Sequence, residues 1–174
     1  MPLYFAYGAN LDVAAMAQRC PRSRVLGLAR LARHRVALMK EGYATVVADP
    51  SAMVHGLLFD LAFADVPALD RYEEVGSGLY QKITQPVLRA SGGSVRALVY
   101  VGRGGEARGA APAPGYLEAV IAAAENVGLP AGHIAFLRSL APGAAQAMRP
   151  EPALAPRGRA IKYAGKPLWS EETP

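Results

Sequence analysis

Two short stretches carry the residue types that chemistry would need. One, Leu69-Asp70-Arg71-Tyr72-Glu73-Glu74-Val75-Gly76-Ser77-Gly78-Leu79-Tyr80, gathers three carboxylates at the end of a short helical run, just before a glycine turn. Acidic residues at a helix C-terminus face the negative end of its dipole and cost a little stability. A task for one of them would account for that cost; plain solvation is the blander reading. Set in an apolar pocket, a carboxylate has its pKa raised and can take and return protons near neutrality. The other stretch, Tyr4-Phe5-Ala6-Tyr7-Gly8-Ala9-Asn10-Leu11, reads as a strand that turns at Gly8 into a helix beginning near Asp12. Such a junction leaves backbone N–H groups without partners and pointing one way, an arrangement that binds anions. An ordinary first strand and turn would look the same.

Other chemistries find less support. His34, His55 and His133 lie 21 and 78 residues apart, which matches no metal-ligand spacing. There is no Gly-x-Ser-x-Gly elbow, and Gly102-Arg103-Gly104-Gly105 lacks the Lys-Ser/Thr of a phosphate-binding loop. The one cysteine, Cys20, permits no internal disulfide and no cysteine cluster, and it reads as a structural thiol. No metal and no cofactor are expected.

The elements that would position these groups follow from pattern. A helix over 11–19, capped by Asn10 or Asp12, ends before Pro21. One or two strands fill 24–39, and another over 43–48 is stopped by Asp49-Pro50. The apolar run 53–61 reads as a buried strand. A short helix over 63–72 has Asp65 placed to cap it and Pro67 in its first turn. Strand 80–88 contains Pro86, which predicts an edge at its far end; a turn at 91–94 leads into strand 95–101. After a loop over 102–114, an amphipathic helix over 115–127 ends at Gly128, and a second helix covers 132–140. Strands come first and helices mainly afterwards. That segregation predicts an α+β fold, with a small, strongly curved mixed sheet or barrel and helices packed around it. Residues 1–145 are expected to form one domain and 146–174 a proline-rich C-terminal tail.

Composition agrees. At 174 residues, with 52% hydrophobic and 19% charged residues, the chain can bury a single core. No apolar run approaches the roughly 18 residues of a membrane span, and the start, Met1-Pro2-Leu3-Tyr4, lacks a basic-then-apolar leader; a cytoplasmic protein is expected. The net charge of +5 is concentrated in Arg19, Arg22, Arg24, Arg30, Arg33, Arg35 and Lys40. These alternate with apolar residues, so a solvated strand face explains them better than an anionic partner, and much better than nucleic acid. Oligomeric state stays open.

Taken together, the two stretches resemble the γ-glutamylcyclotransferase-like family. His55-Gly56-Leu57-Leu58-Phe59 is similar to its glycine-containing strand. Ala111-Pro112-Ala113-Pro114-Gly115-Tyr116 is similar to its proline-rich approach to a tyrosine-led helix, and Asn126-Val127-Gly128-Leu129-Pro130 to that helix's end. The resemblance spans roughly residues 3–140. It implies a cofactor-free intramolecular aminolysis, in which the substrate's α-amine attacks its own γ-amide to give 5-oxoproline and a free amine. It further implies that Tyr7, Gly8, Ala9, Asn10 and Leu11 form the substrate loop. Their N–H groups would hold the glutamyl carboxylate or the developing oxyanion. Glu73 would be the general acid/base, with Glu74 in reserve, and Tyr80 and Tyr116 would line the pocket. Ala9 stands where the family often has serine, and Glu74 where better-known members have glycine. A non-catalytic module binding a small carboxylate on the same fold is the alternative.

Overall fold

The computed structural model of the protein describes residues 1–141; the proline-rich tail expected over 146–174 lies outside the described residues. Five strands close into a barrel in the order β1-β3-β2-β4-β5. They are β1 (Leu3–Ala6), β2 (Arg24–Leu38), β3 (Ala44–Asp60), β4 (Tyr80–Arg89) and β5 (Ser94–Gly102). All neighbours are antiparallel except β1 and β5, which run parallel with Tyr4 opposite Leu98. Among the described residues, four α-helices accompany the barrel: α1 (Val13–Arg19), α2 (Val66–Tyr72), α3 (Tyr116–Asn126) and α4 (Ala131–Ser139). This is the expected α+β class, with the curved sheet closed completely.

Strand directions decide where a site can form. Because β1 and β5 are parallel and the rest alternate, β1, β2 and β5 all end at one mouth of the barrel, and β3 and β4 both begin there. Tyr7, Tyr43, Tyr80 and Tyr100 therefore converge at that mouth although they are scattered through the sequence. The barrel interior is apolar, with Phe5, Leu31, Val54, Leu58, Val87 and Val99 all but fully buried. Gly56 is required where β3 crosses β1, since a Cβ there would run into the Ala6 carbonyl oxygen and the Phe5 ring.

Three local expectations are corrected. The strands expected at 43–48 and 53–61 are a single β3. Its pairing with β2 jumps from Ala48 opposite His34 to Met53 opposite Ala32. Residues 49–52 therefore have no β2 partner, and Pro50 breaks no β2–β3 pair. Arg33, opposite this irregularity, takes a left-handed φ of 60°. Secondly, Asp12 rather than Asn10 caps α1, accepting from the Ala14 and Ala15 N–H groups at 3.0 Å, while Asp65 makes no capping bond to α2. The Asp65 carboxylate instead accepts from the Arg22 N–H at 2.9 Å and the Ser23 hydroxyl at 2.7 Å. Thirdly, the far end of β4 is not an edge: Leu88 and Arg89 are where β4 pairs with β2. The stretch before them, including Pro86, pairs with β5 alone.

Candidate active site

A cavity of about 200 Å³ opens at the barrel mouth. Its walls include Gly8, Ala9 and Asn10 from the first stretch and Glu73, Glu74, Leu79 and Tyr80 from the second. All seven tyrosines among the described residues also line it. Ala9, Asn10 and Leu11 form a single 3₁₀ turn that brings Asn10 under the cavity. Glu73 is the residue at which α2 ends, its N–H bonded to the Leu69 carbonyl at 2.9 Å.

The two stretches meet directly. The buried Asn10 amide nitrogen donates to Glu73 Oε1 at 2.7 Å and to the Tyr4 hydroxyl at 2.8 Å. Burial pushes the Glu73 carboxyl up to about 7, against the smaller opposing effects of Arg19 and of the Asn10 hydrogen bond. Near neutral pH it is therefore divided between acid and carboxylate, the condition for a group that both takes and gives a proton. Glu74 differs. It takes a left-handed φ of 49°, a conformation that favours glycine, and its exposed carboxylate accepts from the Ser77 hydroxyl at 3.3 Å. Of the two adjacent acids, only Glu73 bonds to the loop.

The tyrosines are anchored in two ways. Tyr7 donates to the Tyr100 carbonyl at 2.6 Å and Tyr80 to the Ala44 carbonyl at 2.7 Å. Tyr100 donates to Asp70 at 2.6 Å, whose other oxygen accepts from Lys82 at 2.7 Å. Tyr4 and Tyr116 act only as acceptors among the described residues, from Asn10 and from the Ala44 N–H at 3.2 Å respectively. Their own protons stay available to whatever enters. Burial holds the hydroxyls of Tyr4, Tyr7, Tyr80, Tyr100 and Tyr116 well above the usual phenol range, so they are neutral donors. Gly8 fits closely here, since a Cβ on it would lie 3.0 Å from the Tyr116 oxygen.

Of the residues singled out from sequence, Tyr7, Gly8, Ala9, Asn10, Glu73, Glu74, Tyr80 and Tyr116 share this cavity. Leu11 does not: it is fully buried in the core, and its N–H is spent on the Gly8 carbonyl at 2.9 Å. Sequence reasoning missed Tyr4, Tyr43, Tyr72 and Tyr100 as lining residues. A compositional signal was present, since tyrosine outnumbers phenylalanine eight to four. It also missed Arg19, which leaves the otherwise solvated basic stretch to bond Asn10 Oδ1 and to lie 3.3 Å from the centroid of the Tyr72 ring. Arg22, Arg24, Arg30 and Arg33 are exposed, as a solvated face requires. His55 and His133 come together elsewhere with ring centroids 5.3 Å apart. Among the described residues, no three His, Cys, Asp or Glu side chains cluster in a way that could hold a metal ion. Cys20 is buried, its thiol pushed up to about 11 by that burial. No helix among the described residues is long and apolar enough to cross a membrane.

Known proteins resemble this chain in sequence and in fold. Residues 53–137 match the model of the AIG2-like family. The chain is 27% identical to human gamma-glutamylcyclotransferase over 150 residues, covering 80% of this chain and 79% of that one. It is 29% identical to the mouse enzyme over the same share of each. A solved gamma-glutamyl cyclotransferase structure superposes with a TM-score of 0.72 at 26% identity, covering 79% of this chain and 86% of the other.

Proposed function

We propose that the chain, similar in sequence and fold to gamma-glutamylcyclotransferases, cleaves a γ-glutamyl amide by intramolecular aminolysis, with Glu73 as the proton carrier. The observation that carries this reading is the Glu73 carboxyl, raised to about 7 beside the Gly8–Asn10 turn. As a carboxylate, Glu73 takes a proton from the substrate's α-ammonium. The freed amine attacks the γ-carbonyl carbon, and the carbonyl electrons move onto its oxygen. When they return, the bond to the amide nitrogen breaks and the lactam closes. Of the three protons on the ammonium, one stays on the lactam nitrogen and two pass in turn through Glu73 to the departing nitrogen. That nitrogen leaves as an ammonium, and Glu73 ends as it began.

The nucleophile belongs to the substrate, so the protein has to fold it, carry protons and stabilise the oxyanion. Tyr4 and Tyr116, with hydroxyl protons uncommitted among the described residues, supply neutral donors for the last task. The cavity leaves room for a small substrate and little more. A pure carboxylate binder on this fold would have no use for a buried acid of its own charge sign.

The test is purified protein incubated with a panel of γ-glutamyl amino acids and γ-glutamyl amines, with 5-oxoproline as the readout. Turnover is expected on at least one, and Glu73→Gln is expected to lower kcat by roughly 10²-fold or more, as loss of a general acid/base does. Turnover equal in the variant, or none across the panel, overturns the proposal. Tight binding without turnover, kept in Glu73→Ala, would establish the binding module instead.

A further inference from the structure

We propose that Arg19 is the positioning residue of this site, fixing the Asn10 amide so that Glu73 keeps one oxygen committed and the other available to the substrate. The proposal rests on the reading of Glu73 as proton carrier. Arg19 does not line the cavity, so any influence on the chemistry passes through its neighbours.

The chain of bonds is one-directional. A guanidinium has donors and no acceptor, so the Asn10 atom that Arg19 touches has to be the oxygen. The amide nitrogen of Asn10 then faces the other way, where it finds two acceptors, Glu73 Oε1 at 2.7 Å and the Tyr4 hydroxyl at 2.8 Å. Without Arg19, the Asn10 amide is held from one side only, and its buried oxygen is left without a partner among the described residues. A turned amide would set its carbonyl oxygen against the Glu73 carboxylate, an unfavourable contact in a buried setting. Asn10 has only 2% of its surface exposed, so water is poorly placed to repair the mismatch.

Arg19 is itself held. It is the last residue of α1, where a cation suits the helix dipole. Its guanidinium carbon lies 3.3 Å from the Tyr72 ring centroid, a cation–π contact with the residue next to Glu73. It thereby ties the end of α1 to the end of α2. The groups that face Glu73 from the surrounding elements are Tyr4 on β1, Tyr7 beyond it, Tyr72 on α2, Tyr80 on β4, Tyr100 on β5 and Tyr116 on α3. All are neutral. Arg19 is the one cation among the described residues that acts on the Glu73 carboxyl, and it favours the ionised form.

Two variants separate orientation from charge. Arg19→Met removes both. The acid limb of the kcat/KM–pH profile should move to higher pH, with activity at pH 6 falling roughly tenfold or more, as loss of one nearby opposite charge predicts. The high-pH plateau should fall too, because the Asn10 oxygen has lost its partner and the amide is held from one side only. Arg19→Lys keeps a charge but not the planar fork, so the limb should stay near its wild-type position while the plateau falls. A ¹³C-carboxyl NMR titration of Glu73 in the same proteins reads the limb without any substrate. Wild-type titration and wild-type plateau in Arg19→Met overturn the proposal. So does a stability loss with neither shift, which would mark a purely structural residue. If Arg19→Met does not fold, the lysine variant decides: an unchanged plateau overturns the proposal and a lowered one supports it. An inactive wild type would count against the proposed reaction, and the NMR titration would still decide whether Arg19 governs Glu73.

Discussion

A part-buried carboxyl raised to about 7 must destabilise the fold that raises it, and this can be measured without knowing the substrate. The unfolded chain has an ordinary glutamate, near 4.5. Between those two values the folded protein holds a proton on Glu73 that the unfolded chain has released. The folded state binds more protons there, so stability falls as pH rises through that window. Each pH unit is worth about 1.4 kcal/mol, which puts the penalty on the order of 3 kcal/mol once pH exceeds 7. Below 4.5 both states are protonated and the penalty disappears. Glu73→Gln mimics the protonated acid and still accepts from Asn10, so it should escape the penalty. Urea unfolding of both proteins at pH 4.5, 6 and 8 is the assay. The variant should match wild type at pH 4.5 and exceed it by about 2–3 kcal/mol at pH 8. A difference that does not change with pH would refute the argument, because it would mean that the carboxyl titrates normally in the folded protein. So would a variant less stable than wild type at pH 8. The same protein would then be more stable and less active, which is what a carboxylate kept for chemistry predicts.

Two further substitutions test the surroundings of that carboxyl. Tyr116→Phe removes the acceptor of the Ala44 N–H; stability should fall by about 1–3 kcal/mol and kcat on any accepted γ-glutamyl amide should fall with it, as thermal melting and steady-state kinetics would read. Gly56→Ala adds a Cβ against the Ala6 carbonyl and Phe5, where β3 packs on the strand that leads into the Ala9–Leu11 turn. A cost of about 1–3 kcal/mol is expected from such overpacking, and a variant as stable as wild type in chemical unfolding would contradict the close crossing.

Much of the architecture was legible because it is local. Helix ends were marked by Pro21 and by Gly128, which takes a φ of 73°, and the hairpin turn near 91–94 was marked by its glycines. What was lost depended on tertiary pairing. Asp49-Pro50 looks like the end of a strand because a proline cannot donate to a ladder; the residues around it are simply those that β2 does not pair. Asp65 looks like a cap because it precedes a helix, yet Arg22 and Ser23, more than forty positions earlier, claim its carboxylate. Arg19 looked like one more solvated arginine because its partners, Asn10 and Tyr72, meet only once α1 and α2 are packed.

The ring of tyrosines is the larger omission, and it has a physical explanation. Each tyrosine, taken alone, reads as a packing residue of a half-buried strand or helix. A buried tyrosine nevertheless needs a partner for its hydroxyl that a phenylalanine does not, so a chain with twice as many tyrosines as phenylalanines has to provide buried polar partners somewhere. The parallel pairing of β1 with β5 brings the strand ends that carry four of them to a single mouth, and α2 and α3 add two more beside it. Three of the hydroxyls then turn their protons into the protein, toward the Tyr100 carbonyl, the Ala44 carbonyl and Asp70. The two that accept instead, Tyr4 and Tyr116, take bonds from Asn10 and from the Ala44 N–H. Such an acceptor keeps its own proton for the cavity, and accepting a bond makes it the better donor. The division between hydroxyls that donate inward and hydroxyls that accept thus separates the tyrosines that hold the barrel mouth from those whose protons are uncommitted among the described residues.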